Sequence, residues 1–273
     1  GHCAVNPIAG RETEQLEKSA DPKTILVVGA GPAGIQLALS ARNRGHTVLL
    51  VEKEKHIGGQ IALAETFSFK KSLTRLLGYY SKALASAGVE VYLNSEITET
   101  LAKFGDCIDL VVFTTGNQIP VPDRFIVSPI IASSVLEGLS HLETLGSKVA
   151  IIGANLVGVE AAWHLAKYGC EVSLVERSNR LADDVNLINR IVFPDVLSEA
   201  GVSVLMETEG LMATSRGLKV GYKDSEREIV VDNILISFGA VPTEVSSQLQ
   251  EQCKNIGVEA VPCYHWAKGG EGT

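Results

Sequence analysis

The sequence has no C-x-x-C pair: its five cysteines, Cys3, Cys107, Cys170, Cys253 and Cys263, are odd in number and irregularly spaced. That excludes the chemistry of a redox-active dithiol and leaves free thiols in a reducing cytoplasm as the expectation. Apolar runs long enough to cross a bilayer are also missing. The longest are strand-length and end in glycine or charge, so no membrane partner is expected. There is no Lys/Arg cluster and the formal charge is −8, which argues against nucleic acid and acidic membranes. No basic stretch followed by an apolar one occurs between Gly1 and Arg11, so no signal peptide is expected. What is present, 45 % hydrophobic and 21 % charged residues over 273 positions, is the composition of an ordinary globular protein. At roughly one domain per 100–200 residues, two domains are expected.

Residues 1–23 show no clear periodicity, end in Asp21-Pro22 and read as an arm or linker. A β-branched run, Thr24 to Val28, then leads into Gly29-Ala30-Gly31-Pro32-Ala33-Gly34. Helical spacing follows from Ala33 to Arg44, stops at Gly45, and gives way to a second buried-strand pattern, Thr47 to Val51. The order β–glycine turn–α–β is that of a compact βαβ unit. Leu73, Leu76, Leu77, Tyr80 and Leu84 mark an amphipathic helix ending at Gly88; Val89, Val91 and Leu93 alternate; Leu110 to Phe113 is fully apolar.

The same order then recurs. Lys148 to Ile152 reads as a strand, Gly153 to Gly158 as a turn, Val159 to Tyr168 as a helix stopped by Gly169, and Glu171 to Val175 as the next strand. A helix through Val196 to Ala200 runs into Gly201, and Val202, Val204 and Met206 alternate. Gly29, Gly34 and Glu52 have the same mutual separations as Gly153, Gly158 and Glu176, and Ser86-Ala87-Gly88-Val89 is echoed by Glu199-Ala200-Gly201-Val202. This is an internal duplication.

Each half carries a candidate nucleotide site; the competing reading is a glycine turn with no ligand for the first and a Rossmann half that has lost its ligand for the second. In the first, Gly29 permits the tight turn, Gly31 lets backbone approach a pyrophosphate, and Gly34 lets helix and strand pack closely. The helix opening at Pro32, Ala33 and Gly34 offers N–H groups to phosphate. Glu52, followed by Lys53, stands about 20 residues on, where a carboxylate accepts from ribose hydroxyls. Gly58-Gly59-Gln60 either admits a close approach or is a plain loop. Thr114-Thr115-Gly116 ends a strand at the edge where open α/β sheets bind ligands. The second half reads Gly153-Ala154-Asn155-Leu156-Val157-Gly158. Asn155 replaces the middle glycine: asparagine tolerates left-handed backbone, so the turn is expected to survive, but the side chain narrows the space beside a pyrophosphate. Glu160 is expected on the first helical turn, where a carboxylate suits the macrodipole. Glu176 accepts from a 2′-hydroxyl and repels a 2′-phosphate, favouring NADH over NADPH, while Arg177 beside it works the other way.

Taken with Asp232 and Gly239-x-x-Pro242, these motifs resemble the two-dinucleotide-binding flavoprotein reductases. The segment Cys3-Ala4-Val5-Asn6-Pro7-Ile8-Ala9-Gly10-Arg11-Glu12 is a more specific pointer. It looks like the segment joining barrel and reductase domains in the family of 2,4-dienoyl-CoA reductase, trimethylamine dehydrogenase and the 2-enoate-type NADH:flavin oxidoreductases. The resemblance covers essentially the whole chain, but only that family's C-terminal third. It implies an α/β fold of two Rossmann-like dinucleotide-binding domains, the second inserted into the first: an FAD domain at 24–117 and 229–273, and an NAD(H) domain at 118–228.

It further implies a relay from NADH to FAD and on to an FMN-containing TIM-barrel domain or subunit, through a 4Fe-4S cluster, in a hetero- or homo-oligomer. Cys3 aligns with the last of four cluster cysteines, or is a thiol on an arm. Two other functions stand beside the relay: a non-catalytic FAD- or ADP-binding structural subunit, and a self-contained NADH oxidase. The family's closing Ile-Gly-Asp, whose Asp holds the ribityl chain, has no counterpart. The tail reads Val261-Pro262-Cys263-Tyr264-His265-Trp266 and on to Gly270, which implies altered flavin retention.

Overall fold

The computed structural model describes residues 3, 5, 6, 8–10, 12, 13 and 16–262, without the side chains at 187–189. Two compact units emerge, Gly1–Gly116 with Pro242–Thr273, and Asn117–Val241. Before Thr24 no helix or strand occurs among the described residues.

The first unit runs β1 (Thr24–Val28), α1 (Pro32–Asn43), β2 (Thr47–Val51), α2 (Gln60–Glu65), α3 (Leu73–Ala87), β3 (Glu90–Tyr92), α4 (Ile97–Phe104) and β4 (Leu110–Phe113). The strand β5 (Asn117–Gln118) begins the second unit, followed by β6 (Ile131–Ser134), α5 (Val135–Ser140), β7 (Lys148–Ile152), α6 (Leu156–Tyr168), β8 (Glu171–Val175), α7 (Leu187–Glu199) and β9 (Ser203–Leu205). Three antiparallel strands come next, β10 (Thr208–Thr214), β11 (Gly217–Tyr222) and β12 (Ser225–Val230), then β13 (Asn233–Ile236). After β14 (Val241–Pro242) the chain adds α8 (Ser247–Asn255) and β15 (Glu259–Pro262) to the first unit.

Both units hold a five-stranded parallel sheet, β15-β4-β1-β2-β3 and β6-β13-β7-β8-β9. The two sheets share the order of four strands and differ at one edge: β15 comes last in its unit, whereas β6 comes before β7. Strands covered on both faces must be apolar throughout, and Thr24–Val28 and Lys148–Ile152 are so after their first residue. Alternate residues serve alternate faces. Ile25 and Val27 pack with Ile35, Ala38 and Leu84, while Leu26 and Val28 pack with Ile97, Leu101 and Cys253. In the second unit Ala150, Ile152, Ile234 and Ile236 pack with Ala213, Leu218 and Val220 of the antiparallel strands. A sheet there covers what helices cover in the first unit.

The structure differs from the sequence expectation in three places. The return to the first unit falls after Val241, not at 229, because β13 pairs with β6 and β7 along Asn233–Ile236. The second glycine turn is shorter than expected: α6 starts at Leu156, not Val159, with Asn155 as its N-cap. The antiparallel strands had no counterpart in the sequence reading.

Candidate functional site

In both sheets the strand that leads into a glycine turn, β1 or β7, lies between neighbours reached in opposite directions, and open sheets bind ligands at the carboxyl end of such a switch point. The glycine turns stand there. Gly29 has φ +102°, and a Cβ on it would lie 2.7 Å from Thr114 O; its amide donates to Val51 O at 2.8 Å. A Cβ on Gly34 would lie 1.9 Å from Gly29 O, so helix and turn can touch only if this residue is glycine. Gly31 is different. Its φ of −71° and ψ of 177° suit any residue, and a Cβ there would meet nothing within 4 Å. Neither conformation nor packing asks for glycine; the open space in front of the turn is what a side chain would fill. Pro32 opens α1 without an N–H and no side chain caps the helix, which leaves the donors of Ala33 and Gly34 for an anion.

Glu52 is buried. Its Oε2 accepts from the Ala30 amide at 2.7 Å and its Oε1 from the Glu54 amide at 3.0 Å. A carboxylate has about four acceptor sites, so ties to the turn leave capacity for ribose hydroxyls. Lys53 and Gln60 are exposed, Gln60 as the first residue of α2. Gly58-Gly59 is a docked turn and not a plain loop: the Gly58 amide donates to Ala30 O at 2.7 Å, and a Cβ on Gly59 would be 3.2 Å from Gly31 Cα. The Thr114 hydroxyl, 2.9 Å from both Val28 O and Gly29 O, ties β4 to the turn. Thr115 and Gly116 follow it on the surface, and Gly116 O accepts from the Thr243 amide at 2.9 Å.

The second unit repeats the amide bonds of the turn and its acid one by one. The Gly153 amide donates to Val175 O at 2.9 Å and the Ala182 amide to Ala154 O at 2.7 Å. Glu176 accepts from Ala154 and Ser178 amides, both at 2.8 Å. A Cβ on Gly158 would be 2.0 Å from Gly153 O and 3.0 Å from Ser237 Oγ, so Ser237 stands where Thr114 does. The pairing of glycine turn and acid is thus a duplicated device, down to individual amides.

Asn155 departs from expectation. Its φ of −66° and ψ of 177° match Gly31 and are not left-handed, so tolerance of that conformation is not why asparagine works here. It works as a cap: Oδ1 accepts from the Gly158 amide at 2.9 Å and the Ser237 hydroxyl at 2.8 Å, and Nδ2 donates to Ser237 O at 2.5 Å. Glu160 is the fifth residue of α6, past the first turn, where the macrodipole has faded. Leu156 and Val157 open the helix, and the Leu156 amide donates to Asp184, 2.9 Å from Oδ1 and 3.3 Å from Oδ2. Arg177 is exposed and, with Lys223, Glu207 and Glu226, lines a hollow of about 300 Å³. Gly239 lies exposed beyond β13.

Asp184 and Ser237 escaped the sequence reading. Asp184 follows Gly153 at the same interval as Gln60 follows Gly29, so extending the duplication past the acid would have found it. Cys3 is exposed, and the Val5 and Asn6 amides hold its thiol below the ordinary range. Among the described residues no group of three or more His, Cys, Asp or Glu gathers in a way that would hold a metal. The tail from Cys263 to Gly270, on which the expectation of altered flavin retention rests, lies outside the described residues.

Two Rossmann-type cradles in one chain, one nested in the other's sequence, define a twin-dinucleotide oxidoreductase fold. Residues 23–260 match the pyridine nucleotide-disulphide oxidoreductase family, and the chain belongs to it; the family's cofactors are FAD and NAD(P)H. It is 30 % identical to an NADH oxidase of Thermoanaerobacter brockii, over 94 % of this chain and 40 % of that protein. It is 32 % identical to a cinnamate reductase of Clostridium sporogenes, over 87 % and 36 % respectively. A solved 2-naphthoyl-CoA reductase in complex with 2-naphthoyl-CoA superposes with a TM-score of 0.85 at 25 % identity, covering 98 % of this chain and 41 % of that one. The chain therefore spans about two fifths of the length of these proteins, and it corresponds to their C-terminal dinucleotide-binding module.

Proposed function

We propose that this chain is the reductase module of an NADH-dependent flavoenzyme, accepting electrons from NADH on FAD and passing them to an FMN-containing TIM-barrel domain or subunit. FAD and NADH supply the redox chemistry when bound; the protein positions them. In this reading Gly29, Gly31, Pro32, Ala33 and Gly34 take the FAD pyrophosphate, Glu52 takes the ribose, and Lys53, Gly59, Gln60, Thr115 and Gly116 border the cofactor. Gly153, Asn155, Leu156, Val157 and Gly158 face the NAD(H) pyrophosphate and Glu176 its ribose, with Glu160, Arg177 and Gly239 around them. The observation that carries the proposal is Gly31: an uncapped helix end beside open space, at a glycine that neither backbone conformation nor packing requires. Cys3 would contribute one thiolate to a 4Fe-4S cluster completed elsewhere, since such a cluster takes about four. Five thiols suit a reducing cytoplasm.

A visible spectrum of the purified protein with and without NADH tests this reading. Bound flavin that bleaches on adding NADH, and is re-oxidised slowly in air, is the expected result. Fast aerobic re-oxidation instead marks an oxidase, as the name of the T. brockii relative suggests. A second reading, a subunit that holds FAD or ADP without turning over NADH, draws on the caps that already satisfy the second helix end. Flavin that NADH fails to bleach would favour it.

A further inference from the structure

The two cradles share their backbone but differ at the helix end that faces a phosphate. In the first, no side chain caps α1 and the neighbouring positions are Gly31 and Gly59. In the second, the Gly158 amide is taken by Asn155 and the Leu156 amide by Asp184. Asn155 is an ordinary N-cap. Asp184 is not; it reaches the helix from a loop 28 residues away. Its position corresponds in the duplication to the neutral Gln60. That loop is fixed beneath it, with Ala182 fully buried and its amide bonded to Ala154 O at 2.7 Å, and with Asp183 paired to Arg180 and Arg190. The Asp184 side chain itself is exposed.

We infer that Asp184 is a displaceable stand-in for the dinucleotide's pyrophosphate, which tunes the second cradle for a co-substrate that must leave after each turnover. This rests on the reading of that cradle as the NAD(H) site. A pyrophosphate arriving at α1 gains donors that no side chain has claimed. One arriving at α6 must exchange with a carboxylate of its own sign for the Leu156 amide. If the carboxylate holds that amide about nine-tenths of the time, the apparent dissociation constant rises about tenfold. Asp184, together with the Asn155 cap, thereby sets an exchanging dinucleotide apart from a resident one on a common scaffold.

The test is calorimetric titration of the chain in saturating FAD, which keeps adenine nucleotides out of the first cradle. NAD⁺ and adenosine are the probes, on the wild type, Asp184→Ala and Asp184→Asn. The expected result is NAD⁺ binding about tenfold tighter to Asp184→Ala, a smaller gain for Asp184→Asn, which keeps an acceptor, and adenosine unchanged because it carries no phosphate. Equal or weaker NAD⁺ binding by both variants, at unchanged thermal stability, overturns the role of Asp184 and leaves the NAD(H) site standing. A parallel gain for adenosine also overturns it, since the effect would not act on phosphate. Absence of NAD⁺ binding to all three proteins overturns the NAD(H) reading as well.

Discussion

Gly31 separates what the fold needs from what a ligand needs, and Gly31→Ala tests the separation. The backbone there is extended, and the added methyl meets no atom within 4 Å. Two small terms act on the apoprotein. Alanine is a poorer N-cap than glycine by roughly 0.5–1 kcal/mol, and it narrows the unfolded ensemble by about 0.4–1 kcal/mol in the opposite sense. They nearly cancel, so urea denaturation of the apoprotein should show a change within about 0.5 kcal/mol. Flavin binding should not survive so well. A methyl in front of the turn displaces the pyrophosphate from the Ala33 and Gly34 amides. One lost charge-assisted bond is worth roughly 1.5–3 kcal/mol, or one to two decades in dissociation constant. Fluorescence titration of apoprotein with FAD reads this directly. Gly34→Ala is the control: with a Cβ 1.9 Å from Gly29 O, the fold itself should lose about 1–3 kcal/mol or more. An apoprotein crippled by Gly31→Ala, or a variant that binds FAD with wild-type affinity, would refute the reasoning.

Three further outcomes are expected. NADH should be preferred over NADPH by roughly 1–3 kcal/mol in kcat/KM because a 2′-phosphate would face Glu176; equal efficiency in steady-state flavin reduction would put Arg177 at the ribose instead. Thr114→Val and Ser237→Ala each remove a hydroxyl that ties a strand to a glycine turn. Each should lower stability by about 1 kcal/mol in urea denaturation, and no loss in either would disprove that tie. In iodoacetamide labelling followed by peptide mass mapping, Cys3 should react first and stay reactive to lower pH than an ordinary thiol, because backbone amides favour its thiolate. Cys253 and Cys170, raised by burial, should lag; labelling of Cys253 at the rate of Cys3 in the native protein would contradict this.

The duplication was legible because its signals are local. Gly29, Gly34 and Glu52 recur at fixed intervals as Gly153, Gly158 and Glu176, and doubly covered strands such as Thr24–Val28 are continuous apolar runs. Asn155 was placed correctly but misjudged, because its value lies in reaching Ser237 across 82 positions of sequence, a separation no local pattern reports. The antiparallel strands were hidden for another reason. Residues Ser225–Val230 read Ser-Glu-Arg-Glu-Ile-Val, with little apolar alternation, and the hairpin turns at Lys223-Asp224, where Lys223 takes φ +50° with no Asn-Gly to announce it. Glu160 was misplaced by a single turn because the helix start was set at the last glycine and not at the cap.

The nesting of one unit in the other's sequence also dictates an order of events at the ribosome. The second unit ends at Val241, and the pairings of its five-stranded sheet close within its own stretch of chain. The first sheet, begun at Thr24, must hold β4 with one edge unpaired until Glu259–Pro262 arrives to lie along Leu110–Phe113. Closure across so long an intervening stretch is slow, and an open parallel edge is the kind of surface that aggregates. During synthesis the inserted unit therefore has all the strands of its large sheet in hand while the surrounding one still waits for its last.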